Sequence, residues 1–275
     1  MKRTAQQPHP VQEEVAPARP RFLLREMRSS CATQRIYKWT LPAWAGRLPD
    51  GRTYNTCPSA GICRDLCYAR HGTFRFPGVL RAHQANLRYV LDEPDAWEAQ
   101  LTTELQHRRY RSGPGPTHVR VHDSGDFFSL AYLQAWLRIM SRTPDVVFYA
   151  YTKEVALFEE TVRPSPPPNF FWRYSYGGLQ DARIPPGSNH VDVFPDEESL
   201  EEAGYTSQAP SDLRGAYGPK TLGIPANNLP HLKKAQGAQT FRSLQRAADT
   251  AAAARRAKRR GPSKRGPGKG NGPPR

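Results

Sequence analysis

The sequence predicts an α/β fold, a parallel sheet or partial (β/α) barrel covered by helices, and three observations carry that expectation. Strand-like and helix-like patterns alternate at intervals of about 25 residues, the rhythm of strand–crossover–strand units. The run DVVFYAYT at 145–152 is apolar without alternation, as in a strand buried on both faces. The expected strands end in polar or glycine-bearing segments, HDSGD, YTK and RYSYGG, and functional groups of parallel sheets gather at those ends.

Each element follows from its own residues. IYKWTL at 36–41 is a candidate strand ahead of proline and glycine punctuation. Pro77 suits the first turn of a helix to about Leu91, with Leu80, Leu87 and Leu91 on one side; Asp92 and Pro94 stop it. A second helix, about Asp95 to Arg109, repeats Trp97, Leu101 and Leu105 every four residues. After GPGPT at 113–117, Val119 and Val121 alternate with polar neighbours in a strand ending at SGD. Ser129 caps a helix from Leu130 to Arg142 with Leu133, Trp136, Leu137 and Met140 on one face. A short helix from about Glu154 to Val162 precedes the loop RPSPPP, and NFFWRYSYGG (169–178) and HVDVFPD (190–196) are two further strands.

Composition sets the flanks. Only 37% of the 275 residues are hydrophobic and 27 are proline, which points to disordered ends, 1–20 and 236–275, around one domain at 21–235. The net charge of +15 is concentrated at one end: residues 233–275 hold 13 Lys and Arg against the single acid Asp249. Such a basic tail suits a nucleic-acid partner through salt-sensitive phosphate contacts, or a nonspecific solubilising end. No apolar run reaches the ~18 residues of a membrane span, and no secretory leader is evident, so the expectation is a soluble cytoplasmic protein without a membrane partner.

Three of the four cysteines, Cys57, Cys63 and Cys67, fall in the loop TCPSAGICRDLCYAR at 56–70 with the spacing C-x5-C-x3-C. Three thiolates within eleven residues can reach one centre from a single loop, and thiolates suit zinc or iron–sulfur clusters. A zinc site would need a fourth ligand, with Cys31, His71 and His122 as candidates. A [4Fe–4S] cluster on three cysteines leaves one iron open, the arrangement that binds and cleaves S-adenosylmethionine. His122, Asp123 and Asp126 form an H-D-x-x-D group that could instead hold a hard metal for hydrolysis, or simply cap a turn. Lys153 after the YAYT strand is a candidate for binding phosphate or carboxylate. Arg70, Arg75, Arg81 and Arg88, interleaved with Tyr68, Phe74 and Phe76, suit nucleic-acid contact or a helix with water-facing arginines. The chain has no P-loop, dinucleotide-binding glycine fingerprint, nucleophile elbow or H-E-x-x-H, and the corresponding enzyme classes lose their support.

Taken together, LPAWAG, TCPSAGICRDLCYAR, VRVHDSGDFFS and FYAYTKE resemble the "gene product 88" domain family of actinobacterial phages and related bacterial genomes, over about Arg35 to Leu232. The segment Cys67-Tyr68-Ala69 is also similar to phage proteins with three-cysteine motifs and radical-SAM-like barrels, although C-x5-C-x3-C departs from their usual C-x3-C-x2-C. The second likeness implies a [4Fe–4S] cluster on the three cysteines and S-adenosylmethionine at Ser124, Gly125 and Asp126, the acid receiving the ammonium. Under it, Arg173 and Ser175 would serve the ribose or carboxylate. The competing classes are a non-catalytic nucleic-acid-binding protein with structural zinc, and a metal-dependent hydrolase built on HDSGD.

Overall fold

In the computed structural model, residues 21–27, 35–112, 115–226 and 229–260 are described. The expected disorder of 1–20, the end of the chain after 260, and Cys31 lie outside them.

The first strands are β1 (Arg25–Met27), β2 (Ile36–Trp39) and the small antiparallel pair β3 (Ala45–Arg47) and β4 (Thr53–Asn55). Helices α1 (Pro77–Asp92), α2 (Pro94–Gln106) and α3 (Arg108–Arg111) lead to β5 (Thr117–Val121). Then come α4 (Leu130–Arg142), β6 (Val146–Thr152), α5 (Val155–Thr161), β7 (Phe170–Ser175) and β8 (His190–Phe194). The chain continues through α6 (Glu197–Glu202), β9 (Thr206–Ser207), α7 (Arg214–Tyr217), β10 (Thr221–Pro225), α8 (Pro230–Gln236) and α9 (Phe241–Arg260).

The main sheet has the order β1-β2-β5-β6-β7-β8-β10-β9, with only β1 antiparallel to its neighbour. The six central parallel strands therefore run in chain order across the sheet. The crossovers from β2 through β8 all step the same way, and their fixed hand places their helices on one face; the return from β9 to β10 steps back, which puts α7 on the other. That is the winding of an open partial barrel; the sheet does not close.

The helix-covered face holds the main core. Trp39, Val121, Phe148 and Phe170 from the strands meet Trp97, Trp136 and Phe158 from the helices, each nearly or fully buried. The rings of Trp39, Tyr132 and Trp136 surround Trp97 at centroid distances of 5.4–5.7 Å. Burying aromatics of this size contributes on the order of 2–3 kcal/mol each. The opposite face is covered by α7 through Leu213 and Ala216, which pack on Ile36 and Tyr149.

Four details differ from expectation. The second helix breaks at His107, whose extended backbone and Nδ1, accepting from Arg109 N at 3.1 Å, begin the separate α3. Leu80 and Leu91 are exposed, and α1 buries Leu87 and Val90 instead. The region after 236, expected as tail, continues through α9, whose alanine-rich middle favours helix and whose start packs on β8 and the cysteine loop. Finally, α6 to α8 and β9 and β10, which add the last parallel strand and close the second face, have no clear periodic signal in the sequence. Among the described residues, no helix is long and apolar enough to cross a membrane.

Candidate functional site

The cysteine loop lies across the carboxyl ends of β5, β6 and β7, held there by contacts far apart in sequence. Asp126 N donates to Thr56 O at 2.8 Å, joining the SGD segment to the loop's start. Gly61 N and Cys63 N both donate to Gly177 O, at 3.1 and 3.0 Å, and Leu179 N donates to Ser59 O at 2.8 Å. Ser59 N and Oγ donate to the two oxygens of buried Glu154, at 2.9 and 2.7 Å. From the other side, Ile62 N donates to Gln245 Oε1 of α9 at 2.7 Å. Gly61 makes that approach possible, since a Cβ there would stand 1.9 Å from Gln245 Oε1.

This seating brings Cys57, Cys63 and Cys67 onto one cavity of about 430 Å³ together with His122, Asp123, Ser124, Gly125, Asp126, Lys153 and Ser175. The thiols are half-buried. Burial raises the Cys57 thiol well above its ordinary range and pushes that of Cys67 up to about 12, with the neighbouring Cys63 adding to both. Any metal bound here would therefore displace thiol protons. Among the described residues, no three His, Cys, Asp or Glu side chains are grouped closely enough to hold a single ion. A single zinc needs its sulfurs about 2.3 Å from one point.

The SGD turn is built for close packing. Gly125 has φ +87°, and a Cβ there would lie 2.8 Å from Leu41 Cβ, so both conformation and space require glycine. Ser124 Oγ donates to Leu41 O at 2.6 Å. The Asp126 carboxylate is buried and accepts from Phe127 N at 2.8 Å, Thr152 Oγ1 at 2.7 Å and Lys153 N at 2.8 Å, which ties the turn to the end of β6. Lys153 Nζ reaches across to Ser175 Oγ at 2.6 Å and to the carbonyls of Ser175 and Tyr176 at 3.2 and 3.1 Å, fixing a positive charge at the cavity wall.

The H-D-x-x-D side chains diverge. His122, at φ +69°, turns into an aromatic cage of Phe127, Tyr132 and Trp136, with Nε2 2.9 Å from Tyr132 Oη. Asp123 pairs with Lys38. With His122 in the cage, Asp123 on Lys38 and Asp126 on three donors, no shared hydrolytic ion site is assembled. Arg173 is likewise committed elsewhere: all its N–H groups donate to carbonyls of Arg214, Gly215, Gly218, Pro219 and Lys220, at 2.6 to 3.2 Å, and it does not line the cavity.

Burial pushes His122 down to about 3, so it stays neutral in the fold. Its pKa lies below the unfolded value, so its contribution is full above about pH 6.5 and is lost as pH falls toward 3. Glu154, raised to about 7 by burial and then by Asp126, acts oppositely, and only a comparison of variants isolates His122. The stability gap between wild type and His122→Asn, a residue that tolerates positive φ, should shrink by about 2–3 kcal/mol between pH 7 and pH 4.5 in urea titrations.

Sequence reasoning missed Glu154, Gln245, Arg120 and Trp44. Arg120 lines the cavity and donates to Asp212 at 3.0 Å. Trp44, the aromatic of LPAWAG, sits at φ +53° on the cavity lip with the Arg70 guanidinium 4.7 Å from its ring centre, an unusual backbone for so bulky a residue. Its positive φ has no local signal, and the partners of Glu154 and Gln245 lie 95 and 183 residues away.

The family model "Gene product 88" matches residues 21–260. The Gene 88 protein of Mycobacterium phage L5 is 30% identical over 119 residues, 38% of this chain and 46% of that protein. The Gene 88 protein of Mycobacterium phage D29 is 30% identical over 110 residues, 38% of this chain and 45% of that protein. The match thus spans a little under half the length of these curated relatives. No solved structure matches the chain.

Proposed function

The chain belongs to the gene product 88 family, and we propose that it is an iron–sulfur protein of radical-SAM type, acting in the cytoplasm on or near nucleic acid. One observation carries this reading: the three loop cysteines share a cavity with the SGD turn, Lys153 and Ser175 at the carboxyl ends of parallel strands wound in chain order. Cys57, Cys63 and Cys67 would hold a [4Fe–4S] cluster as thiolates. Such a cluster, with one iron lacking a protein ligand, supplies the electron for reductive cleavage of S-adenosylmethionine.

The chain's own residues have distinct parts in this scheme. Asp126 uses three acceptor positions within the protein, and a carboxylate has about four, so one remains for the ammonium of S-adenosylmethionine. Lys153, whose three N–H groups are taken by Ser175 Oγ and the carbonyls of Ser175 and Tyr176, would act on its carboxylate through its charge at the cavity wall and not through a direct hydrogen bond. Arg173 has no N–H to spare and is assigned no such part. Helix α9 and the basic residues after it supply attraction for a polyanion.

Anaerobic purification or reconstitution tests the reading. The expected product is brown, absorbs near about 400 nm, and holds roughly four iron and four sulfide per chain, with a spectrum that changes on adding S-adenosylmethionine. A colourless protein with one zinc per chain would overturn it and favour the structural-zinc alternative.

A further inference from the structure

The rim of the cavity changes character where the cysteine loop runs into α1. From residue 66 to residue 91 there is no Asp or Glu. Several arginines elsewhere in the domain pair with carboxylates: Arg52 with Asp50 and Asp92, Arg138 and Arg142 with Glu98, Arg163 with Glu159. Arg70, Arg75 and Arg81 are exposed, and among the described residues none has a carboxylate partner. Beside them runs a row of rings. Tyr68 lines the cavity and packs edge-on against Phe74 at 5.5 Å, and Phe74 meets His83 at 5.8 Å. Phe76, at the start of α1, is 59% exposed and Tyr68 39%. Leaving rings this open to water wastes burial the fold could have used, and the arginines next to them, Arg70 resting on Trp44 and donating to Arg64 O, have no carboxylate to offset their charge.

We propose that this rim is a track for single-stranded nucleic acid leading into the cavity. Unstacked bases lie on Tyr68 and Phe76, and phosphates meet Arg70, Arg75 and Arg81. The rings select single strands, because the bases of a duplex keep their faces stacked inside the helix. The strand's role as substrate rests on the cavity being the reaction centre described above; its binding does not.

Fluorescence anisotropy with a fluorescein-labelled 20-nucleotide single strand, and with its duplex, tests the assignment on the full-length chain. The single strand is expected to bind at least about tenfold more tightly than the duplex. Phe76→Ala should weaken it by about fivefold or more with an unchanged salt slope. The double variant R75A/R81A should lower the slope of log K against log salt by roughly 1.4, the loss of two single-strand phosphate contacts. Equal binding of duplex and single strand, or wild-type binding by both variants, would overturn the proposal and leave the basic chain end as the contact. Iron content should be unaffected in both variants, and a triple Cys57, Cys63, Cys67 to alanine protein should still bind the strand. Failure of strand binding with iron intact therefore sinks only this proposal, and loss of iron with strand binding intact sinks only the cluster.

Discussion

Replacing Cys57, Cys63 and Cys67 together by alanine is expected to abolish iron binding, and each single replacement to leave less than about a tenth of it. The three thiols come from one short loop and face one cavity, so none has a substitute there. Alanine offers no donor, and serine, whose hydroxyl does not ionise near neutral pH, is no better. The folded scaffold should survive. The loop is fastened by Asp126 N, Gly177 O, Glu154 and Gln245 through backbone groups and Ser59, not through sulfur. Iron analysis after anaerobic reconstitution, with circular dichroism on the same samples, separates loss of metal from loss of fold. Cys31→Ala is the internal control and should retain full iron. Equal loss of iron on replacing Cys31 would overturn the assignment of the three-thiolate set.

The largest stability effect is expected at Arg173. Its side chain is buried, and no carboxylate faces it in the network of bonds it makes; burial lowers its pKa. Its charge is met by five main-chain carbonyls around and beyond α7, where the dipoles of a helix end favour a cation. Arg173→Met keeps the apolar stem and strips every donor; Arg214 O and Lys220 O retain the backbone donors Gly218 N and His190 N, but the carbonyls of Gly215, Gly218 and Pro219 are left to find water or remain unmet at about 1–3 kcal/mol each. Even with partial hydration, the loss should reach about 5 kcal/mol, a large part of the 5–15 kcal/mol typical of a folded domain. In urea this is a midpoint lower by roughly 2 M. Arg173→Lys, with three donors, should fall between. If the methionine variant unfolds within about 1 kcal/mol of wild type, the carbonyl cradle does not carry the weight assigned to it.

The helix-bearing half of the fold was largely legible because its signals are local. Ser129 caps α4 by accepting from Tyr132 N, and Leu133, Trp136 and Met140 are buried, as their spacing requires. The apolar run through Phe148, Tyr149 and Ala150 is the buried centre of the sheet. The cysteine loop was equally visible, since three cysteines in eleven residues need no tertiary information to be noticed. The directions of the H-D-x-x-D side chains were not legible, because adjacency in sequence says nothing about direction. A positive φ at His122 and another at Gly125 send three neighbouring side chains to three different partners.

From its own residues, then, the sequence determined the alternation of strands and helices, the parallel sheet covered by helices that this alternation implies, and a loop able to present three thiols. These depend on periodicity and short spacing, which act within a few residues. The tertiary structure decided where that loop sits, that Lys153 and Asp126 face it while Arg173 does not, and that α9 reaches back to hold it through Gln245. Those choices depend on burial. A carboxylate or guanidinium out of water must find partners wherever the fold supplies them, and here Asp126, Arg173 and Glu154 find theirs up to 95 residues away.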